Sequence, residues 1–293
     1  MSVLTAADAA ELFRRDPDRF LDVGAGEVAY RRVGSGPDVL FVHGWPVSGA
    51  TFRTLLPHLT DHVTCHLIDL PGSGSSRFTA DTTLSVDQHI ESVRRVVALL
   101  ELDDVAVVGH DSGGMIARHA GAGDPRVRAM GLINTEQPHG MSWRFTLFLS
   151  ARHAPGLGAA LGWVAGQPRV RRIPFVFGDA FADASLLDGE FHEFFLEPLH
   201  DLPERRDAAV RVLRSFRKQH VADLAALHRK ITVPVQLVWG DQDPFFPLAW
   251  AEEMVATFPD ARLEVVRGAG LFSHEERPAE VARALLPVLT GKP

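Results

Sequence analysis

Short apolar runs alternate with amphipathic segments over most of this chain of 293 residues. The run at residues 39–42 has no polar side chain, which is typical of a strand buried on both faces, whereas residues 86–100 repeat apolar side chains at helical spacing. The remaining predicted strands are two near 21–32, then 64–69, 105–108, 129–133, 235–239 and 263–266. The remaining predicted helices are 6–15, 50–59, 115–122, 248–258 and 279–289. This alternation predicts an α/β fold, a mostly parallel sheet with helices on both faces.

The alternation stops between residues 138 and 230, where short helical patterns replace it. We therefore predict a core domain made of residues 1–137 and 231–293, with a helical cap inserted at 138–230. The cap is rich in aromatic residues, enough to line an apolar pocket above the sheet. We expect most of these aromatic side chains to pack the cap onto the sheet.

Composition narrows the class of partner. The formal net charge is −7, and no long block of lysine or arginine occurs, which argues against nucleic acid or an anionic membrane as a partner. The single cysteine, Cys65, excludes an internal disulfide. The N-terminal residues show no signal-peptide pattern, and no run of eighteen apolar residues occurs, so we expect a cytoplasmic protein. The aromatic residues of the cap favour a small apolar organic substrate, and we expect a monomer or a homodimer.

A sharp turn between the strand at 105–108 and the following helix carries the strongest chemical signal. Gly109 and Gly113 stand two residues before and after Asp111, as the crowded turn of a nucleophile elbow requires. Centring the elbow on Ser112 instead would put His110 in a position that has to be small. The pattern therefore favours Asp111 as a nucleophile. A carboxylate in this place attacks saturated carbon and leaves an alkyl ester on the protein.

Two other loops follow predicted strands and complete a candidate site. Residues 43–46 can aim a backbone N–H at the reaction centre, so the amides of Trp45 and Ser112 are predicted to form an oxyanion hole. The loop at 239–244 offers Asp243 as the acid that would orient a histidine, and Asp241 as a turn residue. The histidines of the cap show no metal-ligand spacing, and no metal site is predicted.

These loops, together with residues 69–76 and 268–278, resemble the α/β-hydrolase fold superfamily. Within it they resemble the aspartate-nucleophile branch, which contains haloalkane dehalogenases, fluoroacetate dehalogenases and soluble epoxide hydrolases. The resemblance covers nearly the whole chain outside the cap. It implies a covalent alkyl ester on Asp111 that is hydrolysed by water activated by a histidine, with no metal or organic cofactor.

The last loop departs from this resemblance. Relatives place the catalytic histidine directly after the glycine pair, where this chain has Leu271. His274 lies three residues further on, a displacement of several ångströms in a helix or a strand. Leu271 predicts a protein that captures substrate and stalls. Three explanations stay open: a trapping variant of an active hydrolase, an enzyme that uses His274 or another base, and a non-catalytic small-molecule binding protein on a hydrolase scaffold.

The choice of substrate rests on polar side chains near the nucleophile. Epoxide hydrolases of this fold resemble one another in using cap tyrosines, and the single tyrosine here is Tyr30, outside the cap. Many haloalkane dehalogenases have a tryptophan after the nucleophile, where this chain has Ser112, which leaves Trp45, Trp143 or Trp163 as indole donors to a leaving halide. Dehalogenation of an apolar organohalide is therefore the leading expectation, and epoxide opening is the alternative.

Overall fold

The computed structural model of the protein describes residues 4–291. Its strands are β1 (Arg19–Asp22), β2 (Glu27–Gly34), β3 (Asp38–Val42), β4 (Thr64–Asp69), β5 (Val105–His110), β6 (Val127–Ile133), β7 (Val235–Gly240) and β8 (Ala261–Val266). They form an eight-stranded sheet in the order β1-β2-β4-β3-β5-β6-β7-β8. The β1–β2 and β2–β4 pairs are antiparallel, and all other neighbours are parallel. The predicted α/β fold with a mostly parallel sheet is confirmed.

The central strands are buried on both faces of the sheet. On β3, Leu40 and Val42 enter one hydrophobic cluster, whereas Val39 and Phe41 enter another. Neighbouring side chains of a strand point to opposite faces, so burial of both sets requires cover on both sides. This arrangement explains why the strands carry continuous apolar runs rather than an alternating pattern.

Helices provide this cover. In chain order they are α1 (Ala6–Arg14), α2 (Leu56–Leu59), α3 (Val86–Leu99), α4 (Ser112–Gly121), α5 (Trp143–Ser150), α6 (Leu157–Gly166), α7 (Pro168–Arg171), α8 (Glu197–Asp201), α9 (Pro203–Ser215), α10 (Lys218–Ala222), α11 (Leu224–His228), α12 (Leu248–Met254), α13 (Ser273–Glu276) and α14 (Pro278–Thr290). Short 3₁₀ turns cover Gly49–Phe52, Ala151–His153, Gly178–Ala180, Ala184–Leu187 and Val255–Thr257, and a π-helical turn covers His192–Leu196. Across the described residues, none of these helices is long and apolar enough to cross a bilayer.

One predicted helix is broken in the structure. Residues 50–59 were expected to form a single helix, but a 3₁₀ turn at Gly49–Phe52 is followed by the separate helix α2. Pro57 lies at the start of α2, where its missing N–H needs no partner within the helix. In the middle of a continuous helix the same residue would remove a hydrogen bond, so the chain starts a new helix there.

Between β6 and β7 the described chain contains helices and turns but no strand, from α5 to α11. This segment contacts the sheet end through the indole N–H of Trp45, which donates to the carbonyl oxygen of Ala209 in α9 (2.8 Å). The proposed boundaries of the cap, 138–230, stay a prediction.

Candidate active site

Asp111 lies at the turn between β5 and α4, with φ 51° and ψ −137°. A non-glycine residue with positive φ is uncommon, and such strain is concentrated at functional sites. A Cβ atom added to Gly109 would lie 2.6 Å from the carbonyl oxygen of Gly113, and one added to Gly113 would lie 2.2 Å from that of Val42. No side chain fits at either glycine. The structure therefore centres the elbow on Asp111, with Ser112 as the first residue of α4.

The carboxylate of Asp111 is held by the loop after β3 and by the first residue of α4. The backbone N–H of Trp45 donates to Oδ2 (2.8 Å), and Ser112 Oγ donates to the same oxygen (3.2 Å). Burial raises the pKa of Asp111 to about 6, although hydrogen bonds from the backbone N–H groups of Ser112 and Trp45 oppose this rise. The structure thus brings Trp45, Ser112 and Asp111 together.

Asp111 faces a small cavity of about 90 Å³ between the sheet end and the helical segment that joins β6 to β7. Aromatic and aliphatic side chains form most of its wall. Seven of the lining phenylalanines come from the predicted cap segment 138–230: Phe145, Phe148, Phe177, Phe181, Phe191, Phe195 and Phe216. Of the described residues that line it, the ionisable ones are Asp111 and Glu136. The cavity therefore suits a small apolar molecule and offers two carboxyl groups to it.

Asp243 follows β7, as expected of the acid, and its carboxyl group is buried. Asn134 Nδ2 donates to Oδ2 (2.8 Å), and the backbone N–H groups of Phe245 and Phe246 donate to Oδ1 (2.8 and 3.1 Å). Burial raises the pKa of Asp243 to about 7, against these three hydrogen bonds. Both oxygens are thus bound by donors other than histidine.

Leu271 places an apolar side chain in the wall of the same cavity as Asp111. Its backbone is fixed, because the carbonyl oxygen lies 3.0 Å from His110 Nε2. This hydrogen bond gives buried His110 a structural role beside Asp111. The position expected of the catalytic histidine is thus part of the site, but it carries no base.

The structure does not bring His274 to Asp111. It lies fully buried in α13, outside the residues that line the cavity, with Nε2 2.8 Å from Thr51 Oγ1. Its ring packs 4.3 Å from that of His110, measured between centroids, and burial holds its pKa well below the ordinary value. The expectation that His274 could replace the missing base is not supported, because α13 carries the side chain towards the 3₁₀ turn at Gly49–Phe52.

The indole donors expected for a leaving halide are also elsewhere. Trp143 and Trp163 are 68% and 57% exposed, and neither lines the cavity. The indole N–H of Trp45 is already bound to the carbonyl oxygen of Ala209. The expectations for Trp143 and Trp163 were wrong, because the packing of α5 and α6 turns these two side chains to the surface.

Glu136 is a site residue that the sequence analysis missed. It lies three residues after β6, is 1% exposed and forms part of the cavity wall. Thr135 Oγ1 lies 3.0 Å from its Oε2. Burial raises its pKa to about 8, and the charge of Asp111 adds to this rise. The one signal in the sequence was its place after the strand that pairs with the elbow strand β5.

A buried arginine fixes the loop that carries Glu136. The guanidinium of Arg118, on α4, donates to the carbonyl oxygen of Glu136 (2.7 Å) and to Thr135 Oγ1 (2.9 Å). Arg118 also donates to the carbonyl oxygen of Gly114 (3.0 Å). The elbow helix and the loop after β6 are thereby held in one rigid arrangement around the two carboxyl groups.

The comparisons with known proteins agree with this geometry at the level of the family. The model of the Alpha/beta hydrolase family matches residues 39–284. The chain belongs to this family. An uncharacterized protein of Mycobacterium tuberculosis is 28% identical over 261 residues, which are 86% of this chain and 74% of that protein. The pimeloyl-acyl carrier protein methyl ester esterase of Chromobacterium violaceum is 27% identical over 270 residues, 83% of this chain and 92% of the esterase.

Among solved structures, the haloalkane dehalogenase DbeA from Bradyrhizobium elkani is similar with a TM-score of 0.78. The two chains are 20% identical, and the match covers 93% of this chain and 97% of the dehalogenase. At this level of identity the likeness supports the shared fold of an alpha/beta hydrolase. The choice of reaction within the family rests on the residues of the cavity.

Proposed function

We propose that the protein is a hydrolase in which Asp111 attacks a saturated carbon of a small apolar substrate and is released again by water. The observation that carries this proposal is the position of Asp111. A carboxylate occupies the strained elbow, is held by a backbone N–H and faces an apolar cavity. A serine nucleophile would instead form acyl esters, and the hydroxyl of Ser112 lies outside the elbow position.

The hydrogen bonds of Asp111 indicate how the attack would run. Trp45 N–H and Ser112 Oγ both bind Oδ2, which leaves Oδ1 to bond with the substrate carbon. As that bond forms, the bond from carbon to its leaving group breaks, and the leaving group takes the electron pair. The product is an alkyl ester of Asp111.

Release requires water to attack the Cγ atom of this ester. Negative charge then develops on Oδ2, the oxygen that already accepts from the N–H of Trp45. A second N–H, that of Ser112, also favours charge on the carboxylate. Donors placed in advance at such an oxygen are worth about 10²–10³ in rate each. On collapse the bond from Cγ to Oδ1 breaks, the departing alkoxide takes one proton of the attacking water and leaves as the alcohol, and the other proton passes to solvent, so that Asp111 is a carboxylate again.

A non-catalytic small-molecule binding protein is the second candidate, and Leu271 is the observation that favours it. The side chain adds apolar surface to the cavity in the place where a base would activate water. The intact oxyanion pair and Asp111 favour chemistry instead. The two candidates differ in whether a covalent ester forms.

Labelling by simple substrates tests the proposal. Incubation with bromohexane or epoxyhexane, followed by acid quenching and intact-mass measurement, should reveal one added alkyl group that peptide sequencing assigns to Asp111. A single turnover in ¹⁸O-water should give an unlabelled product and a labelled Asp111, because water attacks the ester carbonyl. Product that carries ¹⁸O in the first turnover would contradict the covalent route, and reversible binding without any ester would favour the second candidate.

The rate of ester formation should depend on pH through Asp111. A protonated carboxyl is a poor nucleophile, and the pKa of Asp111 is raised to about 6. With bromohexane, whose bromide leaves without a proton, we expect the rate to rise with pH, to reach half its maximum near pH 6 and to level off above it. A stopped-assay series from acid to neutral pH checks this. A midpoint near the ordinary aspartate value of about 3.9 would contradict the burial of the nucleophile.

A further inference from the structure

Two carboxyl groups share the wall of one small apolar cavity, and the proposed reaction on Asp111 uses one of them. Glu136 is the other. It is 1% exposed, and within residues 4–291 it forms no ion pair, since the guanidinium of Arg118 binds its backbone carbonyl rather than its carboxyl. A buried carboxyl that forms no ion pair is most stable in its protonated form, and the nearby charge of Arg118 opposes this only in part. The cavity therefore holds a nucleophile beside a carboxylic acid.

We propose that Glu136 is a catalytic acid and then a catalytic base for the chemistry on Asp111, and that the substrate is an apolar epoxide. The inference rests on the proposed function, because it requires the ester on Asp111. A halide leaves carbon without a proton, whereas the oxygen of an epoxide leaves as an alkoxide that must be protonated. The cavity offers a proton donor. Among residues 4–291, none of its lining side chains offers the free indole N–H group that a halide would need.

The two steps consume the epoxide and one water molecule and need no other reactant. In the first, Asp111 Oδ1 bonds to a ring carbon of the epoxide, the carbon–oxygen bond breaks, and the oxygen takes the proton of Glu136. The result is a hydroxyalkyl ester and a Glu136 carboxylate. In the second, that carboxylate takes a proton from water, and the hydroxide attacks Cγ of the ester. The diol leaves with the remaining proton, Asp111 is ionised again, and Glu136 is protonated again.

The change of role follows from the charge of Asp111. While Asp111 is ionised, its charge adds to burial in raising the pKa of Glu136 to about 8, so Glu136 holds its proton at neutral pH. Esterification makes Asp111 neutral and removes that contribution. The pKa of Glu136 then falls, and the group that was an acid becomes a base when water has to be activated.

Other groups near the cavity do not fill this role. Tyr30 is bound to His66 Nδ1 (2.8 Å) and does not line the cavity. The hydroxyl of Ser112 donates to Asp111 itself. His110 and His274 lie outside the cavity, and burial lowers the pKa of both. The charged groups that act on Glu136 are the carboxylate of Asp111 and, from the side of α4, the guanidinium of Arg118.

The test compares epoxyhexane and bromohexane on the native chain, Glu136→Gln and Glu136→Asp. We expect Glu136→Gln to lower the rate of ester formation from epoxyhexane by about 10²–10⁴, the usual contribution of a positioned acid, and to leave the rate with bromohexane within about threefold. The hexyl ester that bromohexane leaves on Asp111 should accumulate in Glu136→Gln, because this variant also lacks the base that activates water. Glu136→Asp should recover part of the epoxide rate. Glu253→Gln, which replaces an exposed glutamate paired with His139, is the matched control.

A pH series separates a chemical role from a structural one. In the native chain the epoxide rate should fall above about pH 8 as Glu136 loses its proton, and this fall should be absent in Glu136→Gln. Equal epoxide rates in the native chain and Glu136→Gln would overturn the role of Glu136 while leaving the ester on Asp111 standing. Failure of both substrates to label Asp111 in the native chain would overturn the proposed function, and the role of Glu136 with it.

Discussion

Replacing Asp111 by asparagine is expected to abolish labelling by bromohexane and epoxyhexane, with a fall of at least about 10⁴ in the rate of ester formation. The amide of asparagine is a far weaker nucleophile than a carboxylate. Asparagine tolerates positive φ, and its Oδ1 can still accept from the N–H of Trp45, so the elbow should keep its shape. Intact-mass measurement after incubation checks the loss, and thermal unfolding checks the fold.

The exposed Asp103, in the loop before β5, gives the matched control. Asp103→Asn should be labelled at Asp111 at the native rate. An Asp111→Asn chain that is labelled on Glu136 instead would assign the nucleophile to the other carboxyl of the cavity. Labelling of Asp111→Asn at the native rate, at any residue, would show that the elbow does not carry the chemistry.

The elbow was predictable because its steric rule is local. The requirement for glycine at positions 109 and 113 acts within one turn, and the structure confirms it through contacts of 2.6 and 2.2 Å for the missing Cβ atoms. The sheet was predictable for a related reason, since burial on both faces forces continuous apolar runs. Asp243 was predicted as the acid because it follows a strand, and its place after β7 could be read from the sequence. Its hydrogen bonds could not be predicted. Both of its oxygens accept from Asn134 and two backbone amides, and these contacts form only where loops meet in the folded chain.

The positions of Glu136, Trp143 and Trp163 relative to the cavity could not be predicted from the sequence. The burial of Glu136 and its proximity to Asp111 arise from the pairing of β5 with β6 and from the cap above them. In the sequence it is one of fifteen glutamates. The segment 138–230 was predicted from its aromatic content, but the packing of its helices decides which rings point inward. Phe181 and Phe191 line the cavity, whereas Trp143 and Trp163 point to solvent.

A histidine at position 271 is expected to restore hydrolysis to a chain that lacks Glu136. In Glu136→Gln, incubation with bromohexane should accumulate the hexyl ester on Asp111. After excess bromohexane is removed, the loss of the ester can be followed by intact-mass measurement. In the double variant Glu136→Gln with Leu271→His, we expect this loss to be about 10²–10⁴ faster, the usual contribution of a positioned base. The side chain at 271 lines the same cavity as Asp111, so an imidazole there lies beside the ester.

The backbone at this position should accept the change. The carbonyl oxygen of Leu271 is bound by His110, and the N–H of Gly270 donates to Glu276 Oε2 (2.6 Å), so the loop is held without help from the leucine side chain. Leu271→Gln in the same Glu136→Gln background is the matched control, because glutamine is polar and of similar size but has no basic nitrogen. A gain with glutamine equal to that with histidine would assign the effect to polarity rather than to a base.

In the native background the same histidine should change turnover much less, because Glu136 already supplies a base once Asp111 is esterified. A gain of 10² or more from Leu271→His alone would contradict that role and would mean that the native chain lacks any base. The gain in the double variant should also depend on Asp243, whose carboxylate would favour the imidazolium that forms as water is deprotonated. If Asp243→Asn removes most of this increase in the rate of ester hydrolysis, then Asp243, the histidine at position 271 and Asp111 act together as a catalytic triad.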